Sequence, residues 1–454
     1  MTIKRLYNER LYRFDEVEPS YWEATVGNDE FDSVALSTSE TCEVAIIGGG
    51  YTGLSAAYHL ARDHSVDVRV LEAGHLGWGA SGRNGGFCSM GSTSLGLETA
   101  IRRYGLDAVR HYWQTQVTAV ELVRSLIAEE KIDAQTAGDA ELDVAYSPKA
   151  FAELADYARA QQELLGLDTE VVSAPAFRER YFDAAEQYGA VRTRPTFGLH
   201  PLRYLRGLAA AAASHGARLH ARSEVLEWQT GGGRHRLRTR GGSLAARCVI
   251  LATNAFMPEH LHPAFAGRPL PMISAIIVTR PLRADELAAH RWQTECPSIT
   301  SRNLLDYFRL LPDRRFLLGG RGHSTGTNAG SARNYAKLLA RLRELWPAWS
   351  GVAIDYRWHG LVCFTRRLTP ALGRLPDDPS VYFAFGYHGN GISTATWAGQ
   401  QLAAWIARAG GRGVPETIPA MMRGLPGRFP VPALRLVYLQ ARLAMLRVAD
   451  RMGR

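Results

Sequence analysis

Long apolar runs are absent from this chain, since no stretch approaches the roughly 20 apolar residues that cross a bilayer. Its opening residues, MTIKRLYNERLYRFDEVEPS, lack the apolar core of a signal peptide. We therefore expect a cytoplasmic location. The five cysteines are odd in number, widely spaced and without a CxxC pair. Their spacing predicts neither a disulfide framework nor a zinc site, and we expect no bound metal.

Lysine is also scarce, with only Lys4, Lys131, Lys149 and Lys337 in 454 residues of net charge +9. The other basic residues are arginines dispersed along the chain, without the concentrated basic stripe of a nucleic-acid-binding protein. We therefore expect no nucleic-acid partner. No lysine follows a glycine, which excludes a phosphate-binding GK loop.

A glycine motif is the densest chemical signal that is present. Residues 44–53, VAIIGGGYTG, join an apolar, strand-like run to Gly48, Gly50 and Gly53. Such a turn between a strand and a helix lets backbone amides approach a pyrophosphate, and the helix N-terminus adds partial positive charge. The segment VDVRVLEAG then predicts a second strand ending at Glu72, at the place where a carboxylate holds ribose hydroxyls. The sequence therefore predicts a Rossmann-type dinucleotide-binding unit.

The length and the order of patterns predict an α/β fold of two interleaved domains. Residues 96–186 are mostly helical by pattern, and 257–354 contain alternating strands, so we expect a second, α+β domain built on a mixed or antiparallel sheet. The expected divisions are an N-terminal arm (1–40), a dinucleotide-binding domain (41–95, 196–256 and 355–410), a second domain (96–195 and 257–354) and a C-terminal segment (411–454).

The C-terminal segment is Pro-rich and then predicts a basic amphipathic helix. Arg435, Arg442 and Arg451 lie off its apolar stripe. The favoured interpretation is a terminal helix that packs on the protein, and the alternative is a helix that contacts a membrane surface or a partner. The residues that share the apolar stripe are Leu434, Val437, Ala441, Met445, Val448 and Met452.

The loop after Glu72, AGHLGWGASGRNGGF, combined with the glycine motif, resembles the D-amino acid oxidase and glycine oxidase superfamily of flavoproteins. Within it, the chain resembles the gamma-glutamylputrescine oxidoreductases through segments that occur in order from residue 20 to about residue 400. These segments are SYWEAT, IGGGYTGLSAAYHLA, VLEAGHLGWGASGRNGG, LHPLRYLRGLA, VILATNAF, LLDYFRL, LLGGR, IDYRWHG and GYHGNG.

The resemblance implies FAD as the cofactor, so that the first domain binds FAD and the second binds the substrate. We expect the flavin to be held without a covalent bond to Cys363 or His75. His388 to Gly391 replace the SGHG common in relatives, so some flavin contacts should differ. The residues that the resemblance places along FAD are Gly48, Gly50, Tyr51, Thr52, Gly53, Glu72, Ala73, Ser81, Gly82, Arg83, Asn84, Gly85, Val225, Ala252, Thr253, Gly386, Gly389, Asn390 and Gly391.

The resemblance also implies an enzyme that oxidises a carbon–nitrogen bond of an amine similar to gamma-glutamylputrescine, by hydride transfer to the flavin and hydrolysis of the imine. Electrons would pass to O2 or another acceptor. Sarcosine-oxidase relatives activate oxygen with a lysine, and no lysine lies between Lys149 and Lys337, which leaves oxidase and dehydrogenase both open. The candidate catalytic residues are Tyr307, Arg321, His323 and Trp358, with Arg309 and His359 beside them.

Two other functions stay open from the sequence. One is oxidation of a small amino acid such as glycine, sarcosine or a D-amino acid, which needs an arginine aimed at the substrate carboxylate. The other is a flavoprotein subunit that passes electrons to a partner or a membrane acceptor.

Overall fold

Two eight-stranded sheets organise the chain in a computed structural model that describes residues 5–27, 33–408 and 413–452. The α-helices are α1 (Tyr21–Thr25), α2 (Tyr51–His64), α3 (Leu97–Tyr104), α4 (Leu106–Glu129), α5 (Pro148–Leu165), α6 (Ala174–Arg180), α7 (Pro201–Ser214), α8 (Ala284–Ala289), α9 (Asn328–Leu345), α10 (Gly391–Ala407) and α11 (Arg435–Arg451). The strands are β1 (Ser39–Ile47), β2 (Val68–Leu71), β3 (Phe87–Cys88), β4 (Glu141–Val144), β5 (Asp168–Ser173), β6 (Gly189–Arg194), β7 (Phe197–Gly198), β8 (Arg218–His220), β9 (Glu227–Gly231), β10 (Arg234–Arg238), β11 (Ser243–Leu251), β12 (Pro269–Thr279), β13 (Ser298–Thr300), β14 (Asp306–Leu310), β15 (Phe316–Arg321), β16 (Ile354–Thr365), β17 (Ala371–Arg374) and β18 (Val381–Phe385).

The first sheet is built around the strand that precedes the glycine turn. Its order is β17-β18-β11-β1-β2-β8, and β10 and β9 extend it beside β11. β1 runs parallel to both β11 and β2. Val44 to Ile47 are all buried, as expected for a central parallel strand covered on both faces. α2 packs between α7 and α10 beside this sheet, so the predicted Rossmann-type α/β architecture is confirmed.

The second sheet has the order β16-β12-β15-β14-β13-β4-β6-β5. Its strands pair antiparallel except for β13 and β4, which run parallel, and this is the mixed sheet that was predicted. Alternation along β14 gives the sheet two different faces. Phe308 packs on Trp346 beside α9, whereas Tyr307 faces the first sheet. Residues 354–365 pair with β12, on this second sheet, although the expected boundary assigned 355–410 to the first domain.

The C-terminal helix α11 lies against the edge of the second sheet. Leu439 and Leu443 pack on Met272 of β12, and Arg435 pairs with both carboxylate oxygens of Glu259 at 2.7 and 3.1 Å. Near the end of the helix, Asp450 accepts hydrogen bonds from backbone amides of the loop between β13 and β14. The predicted apolar stripe is not the packed face. Its side chains at Leu434, Val437, Met445, Val448 and Met452 are 45% to 62% exposed.

None of the helices in residues 5–27, 33–408 and 413–452 combines the length and the apolar character needed to cross a bilayer.

The two faces of α11 predict opposite effects of truncation. We expect Leu443→Ala to lower the free energy of unfolding by about 2 kcal/mol, because it leaves a cavity against Met272. Met445→Ala, on the exposed stripe of the same helix, should change it by less than about 0.5 kcal/mol. Denaturant titration of both variants beside the parent checks this, and equal losses would show that the outward stripe is also packed.

Candidate functional site

The glycine turn after β1 brings three chain segments into close contact. Gly48 has φ +109°, a backbone conformation that residues other than glycine rarely adopt. A Cβ added at Gly53 would lie 2.0 Å from the carbonyl oxygen of Gly48, so α2 can start this close to the turn only with glycine there. The turn also lies against the end of β11, since a Cβ at Gly48 would be 2.9 Å from the Ala252 oxygen.

Glu72 ends the second strand of this unit and lies beside the turn. Its Oε2 accepts a hydrogen bond from the Gly49 amide at 2.7 Å, and its Oε1 accepts one from the Gly74 amide at 3.0 Å. Burial raises the pKa of this carboxyl. The carboxylate is thus fixed in place where β2 meets the cavity, in the position that the glycine motif predicted for a ribose contact.

The loop of residues 80–85 folds over the start of α2. The Tyr51 amide donates to Ser81 Oγ at 3.2 Å, and the Tyr51 hydroxyl donates to the Ser81 carbonyl at 2.8 Å. Asn84 fixes the loop from within, because its Nδ2 donates to Ala80 and Ser81 carbonyls and its Oδ1 accepts from the Gly86 amide. The guanidinium of Arg83 lies over the Trp78 ring, 4.2 Å from the ring centroid.

One cavity of about 840 Å³ joins the glycine turn to the inner face of the second sheet. Most of the predicted site residues line it. Those along the wall are Gly48, Gly50, Tyr51, Thr52, Glu72, Ala73, Ser81, Arg83, Asn84, Gly85, Val225, Ala252, Thr253, Tyr307, Arg321, Gly389, Asn390 and Gly391. The predicted residues that the structure places outside the wall are Gly53, Gly82, Gly386, His323 and Trp358.

The wall has the chemistry that a dinucleotide requires. α2 and α10 both begin at the cavity, at Tyr51 and Gly391, and neither has an acidic residue in its first turn or a side-chain cap from the residue before it. The positive end of a helix dipole favours a phosphate or another anion at each of these helix starts. FAD therefore fits these residues, which would place its pyrophosphate at the glycine turn and its ribose beside Glu72. Among the described residues, no group of three or more His, Cys, Asp or Glu side chains could hold a metal ion.

The loop between β18 and α10 closes one side of the cavity. Asn390 Nδ2 donates to the carbonyls of Met90 and Gly91, at 2.7 and 3.1 Å. His388 Nδ1 lies 3.2 Å from Ser94 Oγ, and burial lowers the pKa of His388 to about 3. This histidine is therefore neutral at ordinary pH. Tyr387 adds a hydroxyl 2.6 Å from Thr52 Oγ1, which ties the loop to α2.

The second sheet forms the roof of the cavity at Tyr307. Gly319 lies beside it on β15, and a Cβ there would be 2.1 Å from the Tyr307 ring, so the ring lies directly on the neighbouring strand. The Tyr307 hydroxyl is 2.9 Å from Ser274 Oγ on β12. Arg321 extends from the end of β15 toward Phe364 and Met272. Tyr307 and Arg309 are candidates from one short motif, but only Tyr307 lines the cavity. Arg309 is fully buried and donates to the Leu199 carbonyl.

Two predicted catalytic residues have structural partners instead of a place on the wall. Trp358 is buried, and its Nε1 donates to the Arg83 carbonyl at 2.8 Å, so it supports the loop that lines the cavity. His323 Nε2 lies 3.2 Å from Ser331 Oγ at the start of α9, and burial lowers the pKa of His323 to about 4. Of the two residues considered for flavin attachment, Cys363 lines the cavity and His75 pairs with Glu23 at 2.8 Å.

Glu141 on β4 is a cavity residue that the sequence interpretation did not single out. Its Oε2 accepts a hydrogen bond from Ser89 Oγ at 2.6 Å. Asp143 lies two residues along the same face of the strand. Burial raises the pKa of both carboxyls, and the charge of Glu141 raises the pKa of Asp143 further. The alternation of acidic and apolar residues from Glu141 to Val144 was the available sign of a strand with an acidic face, inside a region with mostly helical patterns.

Comparison with known proteins agrees with this geometry. Residues 43–405 match the family model described as DAO, FAD dependent oxidoreductase. The chain is 32% identical over 444 residues to the gamma-glutamylputrescine oxidoreductase of Escherichia coli strain K12, covering 96% of this chain and 98% of the relative. It is 29% identical over 391 residues to a probable oxidoreductase of Haemophilus influenzae, covering 83% and 85%. The crystal structure of glycine oxidase from Geobacillus kaustophilus has a similar fold, with a TM-score of 0.66, 22% identity, and coverage of 84% of this chain and 100% of that one.

A methyl group at the glycine turn should weaken cofactor binding. We expect Gly53→Ala to weaken FAD binding at least about tenfold, because the new Cβ forces α2 away from the Gly48 carbonyl. Gly231→Ala is the matched control, since that position has open space around it. The flavin absorbance retained per protein after dialysis checks the prediction, and full retention by Gly53→Ala would contradict it.

Glu141 should make stability depend on pH. Because burial raises the pKa of this carboxyl in the folded protein, its contribution to stability is present below the ordinary glutamate pKa and is lost as pH rises through the raised value. We expect the melting temperature of the parent, relative to Glu141→Gln, to fall between about pH 4.5 and about pH 7 and to level off above that. Glu163→Gln, at an exposed position, is the control. A difference that stays constant over this range would refute the prediction.

Proposed function

The chain belongs to the DAO family of FAD-dependent oxidoreductases, and on this premise we propose that it oxidises a carbon–nitrogen bond of an amine of the gamma-glutamylputrescine type. The observation that carries the proposal is the similarity to the Escherichia coli enzyme, which extends over almost the whole of both chains. The long cavity, which reaches from the glycine turn to the roof at Tyr307, supports it because it has room for an extended substrate beside a dinucleotide.

FAD bound at these residues would supply the acceptor for a hydride equivalent from the carbon next to the nitrogen. The substrate carbon and nitrogen then share a double bond, and the nitrogen has lost a proton. Water adds to this imine and releases an aldehyde and ammonia. The protein has to hold the amine against the cofactor, keep bulk water out and accommodate the loss of the proton.

The side chains at the roof suit an amine that reacts in its neutral form. Ile276, Ile299 and Phe87 line this part of the cavity, and an unpaired ammonium is costly next to such apolar groups. Burial raises the pKa of Tyr307 to about 12, so its hydroxyl keeps its proton at ordinary pH. Tyr307 can then donate a hydrogen bond that positions the substrate, while Ser274 holds the phenol from the other side.

We propose that FAD is bound without a covalent bond. Cys363 is the cavity cysteine, but burial raises the pKa of its thiol to about 12, so the reactive thiolate is disfavoured. His75 is occupied by its pair with Glu23 and lies outside the cavity wall.

A second candidate substrate is a small amino acid, and one observation favours it. Arg321 lines the cavity, and an arginine in this position can bind a carboxylate through two parallel hydrogen bonds. The electron acceptor is O2 or another oxidant in either case.

Anaerobic reduction of the bound flavin tests the proposal. We expect gamma-glutamylputrescine to bleach the visible flavin band of the purified enzyme, and putrescine, glycine, sarcosine and D-amino acids to bleach it more slowly, because they lack part of the extended substrate. Admission of air then separates the two kinds of enzyme, since an oxidase regains its colour rapidly and a dehydrogenase does not. Fast bleaching by a small amino acid alone would replace this proposal with the second candidate.

A further inference from the structure

Arg321 is a cation at one end of the cavity roof without a carboxylate partner. Its guanidinium donates to the Met272 sulfur at 3.9 Å and lies 5.9 Å from the centroid of the Phe364 ring. Within the described part of the chain, no Asp or Glu oxygen lies within 4.0 Å of it. Burial lowers the pKa of Arg321, and the charge of Asp450 on α11 offsets only part of this cost of keeping the guanidinium out of water. An anionic group of a ligand would compensate that cost.

Glu141 lies at the other end of the roof and is an acidic side chain without a basic partner in the described part of the chain. It accepts one hydrogen bond, from the neutral Ser89 hydroxyl, and no arginine, lysine or histidine of residues 5–27, 33–408 and 413–452 forms an ion pair with it. The neighbouring Asp143 lies on the same face of β4, where burial and the nearby Glu141 raise its pKa to about 8. A basic group of a ligand placed here would favour the ionised form of Glu141 and pair with it, since no basic side chain of the described residues does so.

The register of the second sheet gives the separation of the Cα atoms of Arg321 and Glu141. Asp143 pairs with Ile299, Ile299 with Tyr307, and Tyr307 with Gly319, so these residues form one row across four strands. Arg321 lies two residues beyond the row on β15, and Glu141 lies two residues on the other side of it on β4. Three strand spacings of about 4.8 Å and four residues of about 3.3 Å separate their Cα atoms by roughly 20 Å, with Tyr307 between them.

We propose that Arg321 and Glu141 mark the two ends of the substrate site, and that the substrate is an elongated molecule with a carboxylate at the Arg321 end and an amine at the Glu141 end. This inference rests on the proposed function, whose cofactor and reaction it keeps, and it adds what selects the substrate. Gamma-glutamylputrescine has this layout, with an α-carboxylate on its glutamyl part and a primary amine at the far end.

The same separation excludes a small amino acid from using both contacts. In glycine or sarcosine the carboxylate and the nitrogen are bonded to one carbon atom, so one such molecule cannot reach both Arg321 and Glu141. A diamine such as putrescine can reach Glu141 but leaves Arg321 unpaired. Selectivity for the long substrate then comes from a charge left uncompensated by each shorter competitor.

The pairing at Glu141 also agrees with the need for a neutral amine. An ammonium group that reaches Glu141 can transfer one proton to the carboxylate, so that an N–H bond breaks and an O–H bond forms. Both groups are then neutral beside the apolar roof. The single hydrogen bond from Ser89 leaves oxygen lone pairs of Glu141 free for this contact.

Binding of amino acids of graded length to the FAD-loaded protein tests the inference without relying on turnover. The probes are glycine, γ-aminobutyrate, ε-aminocaproate and ω-aminolaurate, titrated anaerobically and followed by calorimetry and by the shift of the flavin band. We expect the parent to bind one of the two longer probes at least about tenfold more tightly than glycine. Arg321→Met and Glu141→Gln should each remove at least about tenfold of that affinity and flatten the dependence on length.

Matched variants keep the result interpretable. Arg357→Met and Glu163→Gln, both at exposed positions, should leave the affinities within about twofold of the parent. If Arg321→Met does not retain FAD, Arg321→Lys replaces it, and this variant should keep part of the affinity because it keeps the charge. Equal affinity for all four probes, or unchanged binding in both cavity variants, overturns the inference.

Failure of this inference and failure of the proposed function give different results. If gamma-glutamylputrescine reduces the flavin and the cavity variants bind every probe as the parent does, this inference fails and the proposed function stands. If the length dependence is present but no amine reduces the flavin, the site is correct and the proposed reaction is wrong.

Discussion

The close approach of α2 to its neighbours is the contact on which the site depends. Gly53 lets the first turn of the helix touch the Gly48 carbonyl, and Gly399 of α10 lets the same turn touch α10, where a Cβ would be 2.4 Å from the Thr52 oxygen. Without side chains between them, α2 and α10 both start at the same cavity. Two helix dipoles would therefore act on a group bound in this cavity, and a displacement of α2 would disturb both.

The sequence was a good guide wherever the chemistry depends on neighbours in the chain. The turn at Gly48, the strand that ends at Glu72 and the loop through Arg83 are local patterns, and all of them lie on the cavity wall. The motif around Tyr307 likewise gave a strand residue that faces the cavity. In each case one strand, turn or loop carries its own residues to the site. Their place on the cavity wall can therefore be predicted from the local sequence, without knowledge of contacts between distant segments.

The rest depended on contacts between distant segments. Glu141 meets Ser89 because β4 joins the second sheet through a parallel pairing with β13, which no local pattern indicates. Trp358 resembles a catalytic residue in the sequence, yet it packs under Arg83, some 275 positions away. The C-terminal helix has two apolar stripes, and only the position of Met272 selects the one that contains Leu443. Burial on one side of a helix is a tertiary property, whereas the helix itself is local.

Both ends of the described chain contribute to the wall of the cavity. Arg5 and Tyr12 line it from the N-terminal side, and Pro432 and Arg435 line it from the C-terminal side. A ribosome that has not yet released residues 432–435 therefore carries a nascent chain whose cofactor chamber is open at one side, even though the glycine turn has long been made. The enclosure of the cavity is therefore completed late in synthesis, well after the glycine turn that begins it.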